Sequence, residues 1–438
     1  MRTASALLVL LALNAPAAAE TLKVPAAFET IADAVAAAAE GDTISVSKGT
    51  YVENLAIATA GLKLVGHSAI IDGSFIAPCM EISANDVSVT GFTLVNGTEG
   101  LVASGTGTSV SKCDVISCGG VGILLDGASV TVYANTVVGC DDDGINFGQT
   151  GPGLSVIEKN TCARNDGNGI DASGSELTVS RNQCDMNDTN GVFVSVEGLA
   201  LTEIEDDPAV VIEKNECHAN EDSGMSVFNN TGLLIRIEKN DCSGNTDDGL
   251  FVDSFGAVIS KNTCDDNGDQ GMELFVSGST VEKNSASGNQ DDGILINAEE
   301  FDVGDGDPAS GNTLKGNTCK ENRGDGIIIQ VGSGNVLDGN KCIGNLDDGI
   351  DLNSNGSDGT TLDKNICSEN GHEGIDNSGQ ATVMTDNVCK SNGRGSSPDI
   401  AGTGDGGVGS VETFEGNEFK TGGDTTPALL DNYNNTAP

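Results

Sequence analysis

One pattern, aliphatic-x-x-Asn-x-Cys-x-x-Asn-x-x-x-Gly-aliphatic, returns along most of this chain and constrains its fold more than any other feature. It is clearest at Ile157-Glu158-Lys159-Asn160-Thr161-Cys162-Ala163-Arg164-Asn165, followed by Gly169-Ile170. The first Asn recurs at Asn135, Asn160, Asn182, Asn215, Asn240, Asn262, Asn284, Asn317, Asn340, Asn365 and Asn387. Successive positions differ by 22, 25 or 33 residues, and once by 23. Degenerate copies start near Gly91 and Cys113, and a late one at Asn417. Gly349-Ile350-Asp351-Leu352 alternates with a period of two, which places Ile350 and Leu352 inward and Asp351 outward. A period near 22 suits three short strands and three turns per coil, with successive coils paired as parallel strands about 4.8 Å apart. The expected fold is all-β: a right-handed parallel β-helix of about 14 or more coils.

In-register winding turns each repeat position into a column. A buried Asn at a turn bonds the backbone and the next Asn in its column, satisfying amides that would otherwise be orphaned. The repeated Gly is expected to take a positive φ at the bend before the third strand. The Cys column runs through Cys162, Cys184, Cys217, Cys242, Cys264, Cys319, Cys342, Cys367 and Cys389, with Val137, Ala286 and Phe419 at equivalent positions. Those substitutions mark an apolar slot, and buried free thiols behave as small hydrophobes. Cys118 and Cys140 occupy a different column and form the best candidate for a disulfide.

The ends differ from the middle. Residues 1–19 read as an export signal: Arg2, an apolar run from Ala4 to Leu13, then Ala17-Ala18-Ala19. Residues 20–50 form an N-terminal cap and first strands, with an amphipathic helix expected from Phe28 to Ala39 and Phe28, Ile31 and Val35 on one face. Residues 51–420 are the β-helix, and 421–438 a polar, flexible tail. With 66 acidic and 21 basic residues the formal charge is -45, which argues against nucleic acid and anionic membrane surfaces as partners. No later segment reads as membrane-spanning.

The template resembles the parallel β-helix repeat of the pectate-lyase-like superfamily, which includes carbohydrate-binding and sugar-hydrolase domains and NosD-like periplasmic proteins. The opening Ile31-Ala32-Asp33-Ala34-Val35, Gly41-Asp42-Thr43-Ile44 and Gly49-Thr50-Tyr51-Val52-Glu53 is similar to the first segment of that superfamily. The resemblance implies a secreted or periplasmic scaffold, not one activity, because such folds host lyases, hydrolases, epimerases and non-catalytic proteins. Gln290-Asp291-Asp292 looks like one element of polygalacturonase-type hydrolases, yet Gly371-His372-Glu373-Gly374 lies far along the chain and no Arg-x-Lys follows. The Asp-Pro-His-Asp element of alginate-epimerase-like enzymes is absent. For a Ca²⁺-dependent polyuronate lyase or epimerase, the candidate catalytic residues are Arg236 and Arg323 as bases with Asp291 and Asp292.

Three surface features remain. Acids precede the repeated Gly, and Asp247, Asp248, Asp269, Asp291, Asp292, Asp347 and Asp348 are candidate Ca²⁺ ligands, since stacked carboxylates repel and Ca²⁺ takes oxygen ligands. A solvated turn that favours Asp is the other reading. A basic column, Lys159, Arg181, Lys214, Lys239, Lys261 and Lys283, either tracks an anionic polymer or pairs with Glu158, Glu213, Glu238 and Glu282 beside it. Insertions at Glu197–Pro208 and Glu299–Ser310, and a third long connection from Gly393 to Val411, are expected to wall a groove beside Phe251, Glu273, Leu295 and Ile328. With no Trp and three Tyr, stacking platforms for sugars are expected to be scarce. The functional expectation is a secreted glycan-binding solenoid, with a Ca²⁺-dependent polyuronate enzyme as the alternative and a glycoside hydrolase less favoured.

Overall fold

Short period-two segments separated by tight turns fold into a parallel β-helix with three faces. The computed structural model describes residues 18–197, 208–298, 309–353, 357–393, 400–401 and 411–420. The expected export signal (residues 1–17 of it), most of both insertions, most of the third long connection and the C-terminal tail lie outside them. The third face is one continuous sheet of 15 strands, from Leu55–Ile57 to Ile400–Ala401, which fixes one strand per coil. The first and second faces join near the N-terminus, because Lys63–Asp72 and Ser88–Val95 run unbroken around the corner between them. Further along, the second face narrows to the bridges Glu216↔Asp241, Asp241↔Thr263 and Thr263↔Ser285 before widening into a 6-stranded sheet.

Register follows the sequence columns. On the first face Ile212 pairs with Ile237 and Ile237 with Ile259; on the second Cys162 pairs with Cys184 and Cys184 with Cys217. On the third face Met225, Leu250, Met272 and Ile294 stack in order. All of these side chains are buried. The 13 cysteines are free and buried, as an apolar column requires. Cys118 and Cys140, the candidate disulfide, are free too and sit in the slots that Asn165 and its successors fill later; the Cys140 N–H donates to Asn165 Oδ1 at 3.1 Å.

Two Asn ladders hold two of the corners. At the first corner the Asn240 backbone N–H and Nδ2 both donate to Asn262 Oδ1, at 2.9 and 3.0 Å, while Nδ2 also donates to the Ile212 carbonyl at 3.1 Å. At the second corner Asn245 does the same toward Asn267, at 3.0 and 3.2 Å, and toward the Cys217 carbonyl at 3.0 Å. Each buried amide therefore meets a partner in the coil beside it.

Left-handed backbone sits one residue before each Asn, as at Lys239 (φ 61), Lys261 (φ 59) and Asp266 (φ 58), and not at the repeated Gly. The Gly is required for a different reason. A Cβ on Gly249 would lie 2.6 Å from each of Asn267 Nδ2, Cys264 Cβ and the Gly271 carbonyl oxygen. Close approach of the coils, not backbone freedom, selects glycine there.

The single N-terminal helix spans Ile31–Ala37, shorter than the amphipathic pattern suggests. Thr30 caps it by accepting the Asp33 N–H, and Glu53 accepts the N–H groups of Ile31 and Ala32. Ile31 and Ala34 are buried, with Phe28 and Val35 packed against the same core. Among the described residues no helix is long and apolar enough to cross a membrane.

Candidate functional site

The corners differ outside far more than inside. At the first corner the basic column is paired: Lys214 with Glu213 (2.8 Å), Lys283 with Glu282 (3.1 Å), Lys239 with Glu238, and Arg181 with Glu158 (2.6 Å). Lys315 with Asp338 and Lys364 with Asp363 extend the row. Five of the six bases of the column are thus paired, Lys159 sharing Glu158 with Arg181, which favours the second of its two readings; Lys261, with Ser260 beside it, forms no ion pair among the described residues.

The second corner carries acids on every coil from Asp222 to Glu373, and among the described residues its only ion pair joins His372 to Asp347. The residue directly before the repeated Gly has a structural task. Asp248 Oδ1 accepts the Gln270 N–H at 3.0 Å, Asp292 that of Asp325 at 2.6 Å, Asp325 that of Asp348 at 2.7 Å, and Asp348 that of Glu373 at 2.6 Å. Asp248, Asp325 and Asp348 are therefore buried, Asp248 only 3% and Asp325 8% exposed, and Asp292 partly so, whereas Asp291 beside it is exposed as in a solvated turn. Burial pushes Asp248 up to about 9, with Glu273 adding to the effect, and Asp325 to about 9, with Asp292 adding. Asp348 rises to about 8 and Asp351 to about 7, again chiefly from burial. Asp247 and Asp292 rise to about 6 for the same reason.

The candidate Ca²⁺ ligands gather in groups. Asp247, Asp248 and Asp269 bring carboxylate oxygens within 4.8 Å of one another, as do Asp347 and Asp348 with the His372 ring, and Asp348 with Asp351 and Asp376. Asp291 and Asp292 lie on the coil after Asp269 and belong to neither end. The all-carboxylate groups suit a hard cation such as Ca²⁺; the group with His372 suits a softer divalent ion. The sequence pattern places Asp351 outward and shows His372 within Gly371-His372-Glu373-Gly374, but neither of these, nor Asp376, stands among the candidate ligands read from it, because Asp351 and Asp376 lie on third-face strands outside the corner column.

The candidate bases separate. Arg236 points outward from the first face between Val211 and Val258, away from the second-corner acids. Arg323 is exposed at the second corner on the coil after Asp291 and Asp292, its N–H bonded to the Asn289 carbonyl at 3.0 Å.

Beside the acids, the third face presents an aromatic ladder. The outward, partly exposed rings of Phe193, Phe228, Phe251 and Phe275 lie with successive centroids 5.4, 5.2 and 5.4 Å apart. They alternate between two outward positions of the strand, since Phe251 pairs with Ser226 and Glu273 while Phe275 pairs with Asp253. Scarce Trp and Tyr therefore did not mean scarce stacking surface. Of the four rings only Phe251 was singled out from sequence; the others follow once the 33-residue step is aligned as one long coil. The column Phe251, Glu273, Leu295 and Ile328 is in register as the pattern requires. The chain leaves the described structure after Glu197 and Ala298, just past third-face strands at either end of this ladder.

Comparison with known proteins agrees with this architecture. The family model described as the right handed beta helix region matches residues 79–207, 198–303 and 297–421. No curated protein matches the sequence. Among solved structures, the mannuronan C-5 epimerase AlgE6 A-module of Azotobacter vinelandii is similar at 15% identity, covering 90% of this chain and 93% of that one, with a TM-score of 0.49. Pectate lyase Pel9A is similar at 15% identity over 68% and 72%, with a TM-score of 0.41. An alginate lyase of the PL6 class, solved with a trisaccharide, is similar at 12% identity over 80% and 85%, with a TM-score of 0.44. With the family model matching well over half its length, the chain belongs to the right-handed β-helix family.

Proposed function

We propose that this protein is an extracellular or periplasmic scaffold that binds a linear glycan along its third face and second corner. The observation that carries the reading is the contrast in compensation: acids at the first corner have basic partners, whereas those of the second corner stand beside partly exposed aromatic rings almost without any. Uncompensated surface charge with an apolar flank favours a ligand that supplies what is missing. In the free protein Ca²⁺ would hold to Asp247, Asp248 and Asp269, and to the pair Asp347 and Asp348; Asp291 and Asp292 join no such group among the described residues. The export-type segment at residues 1–19 supports the location.

A second reading, a Ca²⁺-dependent polyuronate lyase or epimerase, draws on the placement of Arg323 one coil from Asp291 and Asp292. Titration calorimetry against soluble pectate, alginate and neutral and amino-sugar polymers, with Ca²⁺ or chelator, tests the binding proposal. Binding to at least one polymer without turnover supports it; silence across the panel contradicts it. Ultraviolet-absorbing unsaturated product, lost in Arg323→Ala, would establish the enzymatic reading instead.

A further inference from the structure

The third face carries two lanes along the solenoid axis. One is apolar: Phe193, Phe228, Phe251 and Phe275, continued in register by Leu295 and Ile328. The other is acidic: Asp247, Asp269 and Asp291 at the corner, with Glu273 on the adjoining strand. Glu273 pairs with Phe251, so the two lanes touch. No Lys or Arg among the described residues forms an ion pair with the acids of this lane.

We propose that these lanes recognise a linear cationic amino-sugar polymer, a glycan whose units carry free ammonium groups. This deepens the glycan-binding reading and rests on it. The argument is one of complementarity. A pyranose ring offers an apolar C–H face to an aromatic side chain and, when its amine is not acetylated, a cation at its edge. The rings supply the first partner and the carboxylates the second. An extended chain of such units advances by about one ring length per unit, the same scale as the rise of about 4.8 Å per coil. Ring faces therefore track the apolar lane, and, because neighbouring units of an extended chain are flipped, every second ammonium meets the acidic lane. A polyuronate presents the same ring face with the wrong charge, and needs a divalent cation between itself and every acid. The ammonium of an amino sugar displaces that cation, so the two ligands compete.

The test uses the full chain and three six-unit oligomers: fully deacetylated glucosamine, its N-acetylated counterpart, and galacturonate, each with chelator and with Ca²⁺. The deacetylated oligomer should bind at least about tenfold tighter than the acetylated one, and Ca²⁺ and salt should weaken it. Phe251→Ala should lose about tenfold or more, Phe251→Leu less, and Asp269→Asn several-fold. Lys239→Ala, on the other corner, should leave binding unchanged. Melting curves confirm that each variant is folded. Equal affinity for both glucosamine oligomers would overturn the proposal, as would binding of oligolysine with the same affinity and no effect of Phe251→Ala. Binding of galacturonate alone would overturn it while leaving glycan binding intact; binding of none of them or of any other glycan would remove both.

Discussion

The first and second corners of this solenoid are built alike inside and oppositely outside. Each is held by an Asn ladder in which one side-chain oxygen accepts two N–H groups from the coil before it. On the first corner, left-handed Lys residues stand next to Glu residues, and the charges close on themselves. On the second, carboxyls are stacked coil upon coil with their protonation equilibria pushed upward. The fold needs the ladders, but nothing in coil geometry demands uncompensated acids, since Asn168 occupies the same slot and its Oδ1 accepts the Asn190 N–H in the same way. What the fold does not require points to something outside it.

The comparison can be broken from the inside first. Asn262→Leu and Asn267→Leu should each be among the most damaging single changes, because each strands buried donors of the preceding Asn, and Asn262→Leu the Ile237 carbonyl as well. We expect losses of roughly 3–5 kcal/mol for both, measured by chemical denaturation; a large difference between them would mean the corners are not equivalent. Gly249→Ala should cost about 2–4 kcal/mol through overlap with Asn267, Cys264 and Gly271. Gly244→Ala, left-handed at φ 71 with nothing within 4 Å, should cost only about 1–2 kcal/mol.

The outer surfaces should then diverge. Asp248→Asn keeps an acceptor for the Gln270 N–H and removes a carboxyl that burial forces to hold its proton. In chelator at pH 8 it should raise stability by about 1–2 kcal/mol, or a few degrees of Tm. Lys283→Gly at the first corner should change stability by less than about 1 kcal/mol, since relief of left-handed strain offsets the lost exposed pair. The next coil already has Gly316 in that slot.

How far the sequence reached follows from what repeats. Asn, Cys and Gly columns were legible because each recurs at a fixed step and each has one environment. The Gly column was assigned the wrong cause: a single sequence shows that glycine is needed but not whether a torsion or a neighbouring coil excludes a Cβ. Asp247, Asp248 and Asp269 were read as a group and come together. Asp351, Asp376 and His372 were not, because Asp351 and Asp376 are outward residues of third-face strands and not members of the corner column, and His372 takes a corner position that acids hold elsewhere. Phe193, Phe228 and Phe275 were hidden because they are separated by a long insertion and by alternation between two outward positions.

The central claim, that the second corner is a surface short of cations, is tested most directly by Tm across pH in chelator and in Ca²⁺. Asp248 and Asp325 titrate near 9, Asp348 near 8 and Asp351 near 7 in the folded chain, against 3.8 for an unperturbed carboxyl. Groups with raised folded values stabilise the fold while protonated, so in chelator their contribution is complete below about pH 4 and is lost progressively as pH rises toward 9. In Ca²⁺ the ion takes the place of the protons, and Tm should hold nearly level over pH 6 to 9, well above the chelator curve at its alkaline end. Superimposable curves would contradict the account.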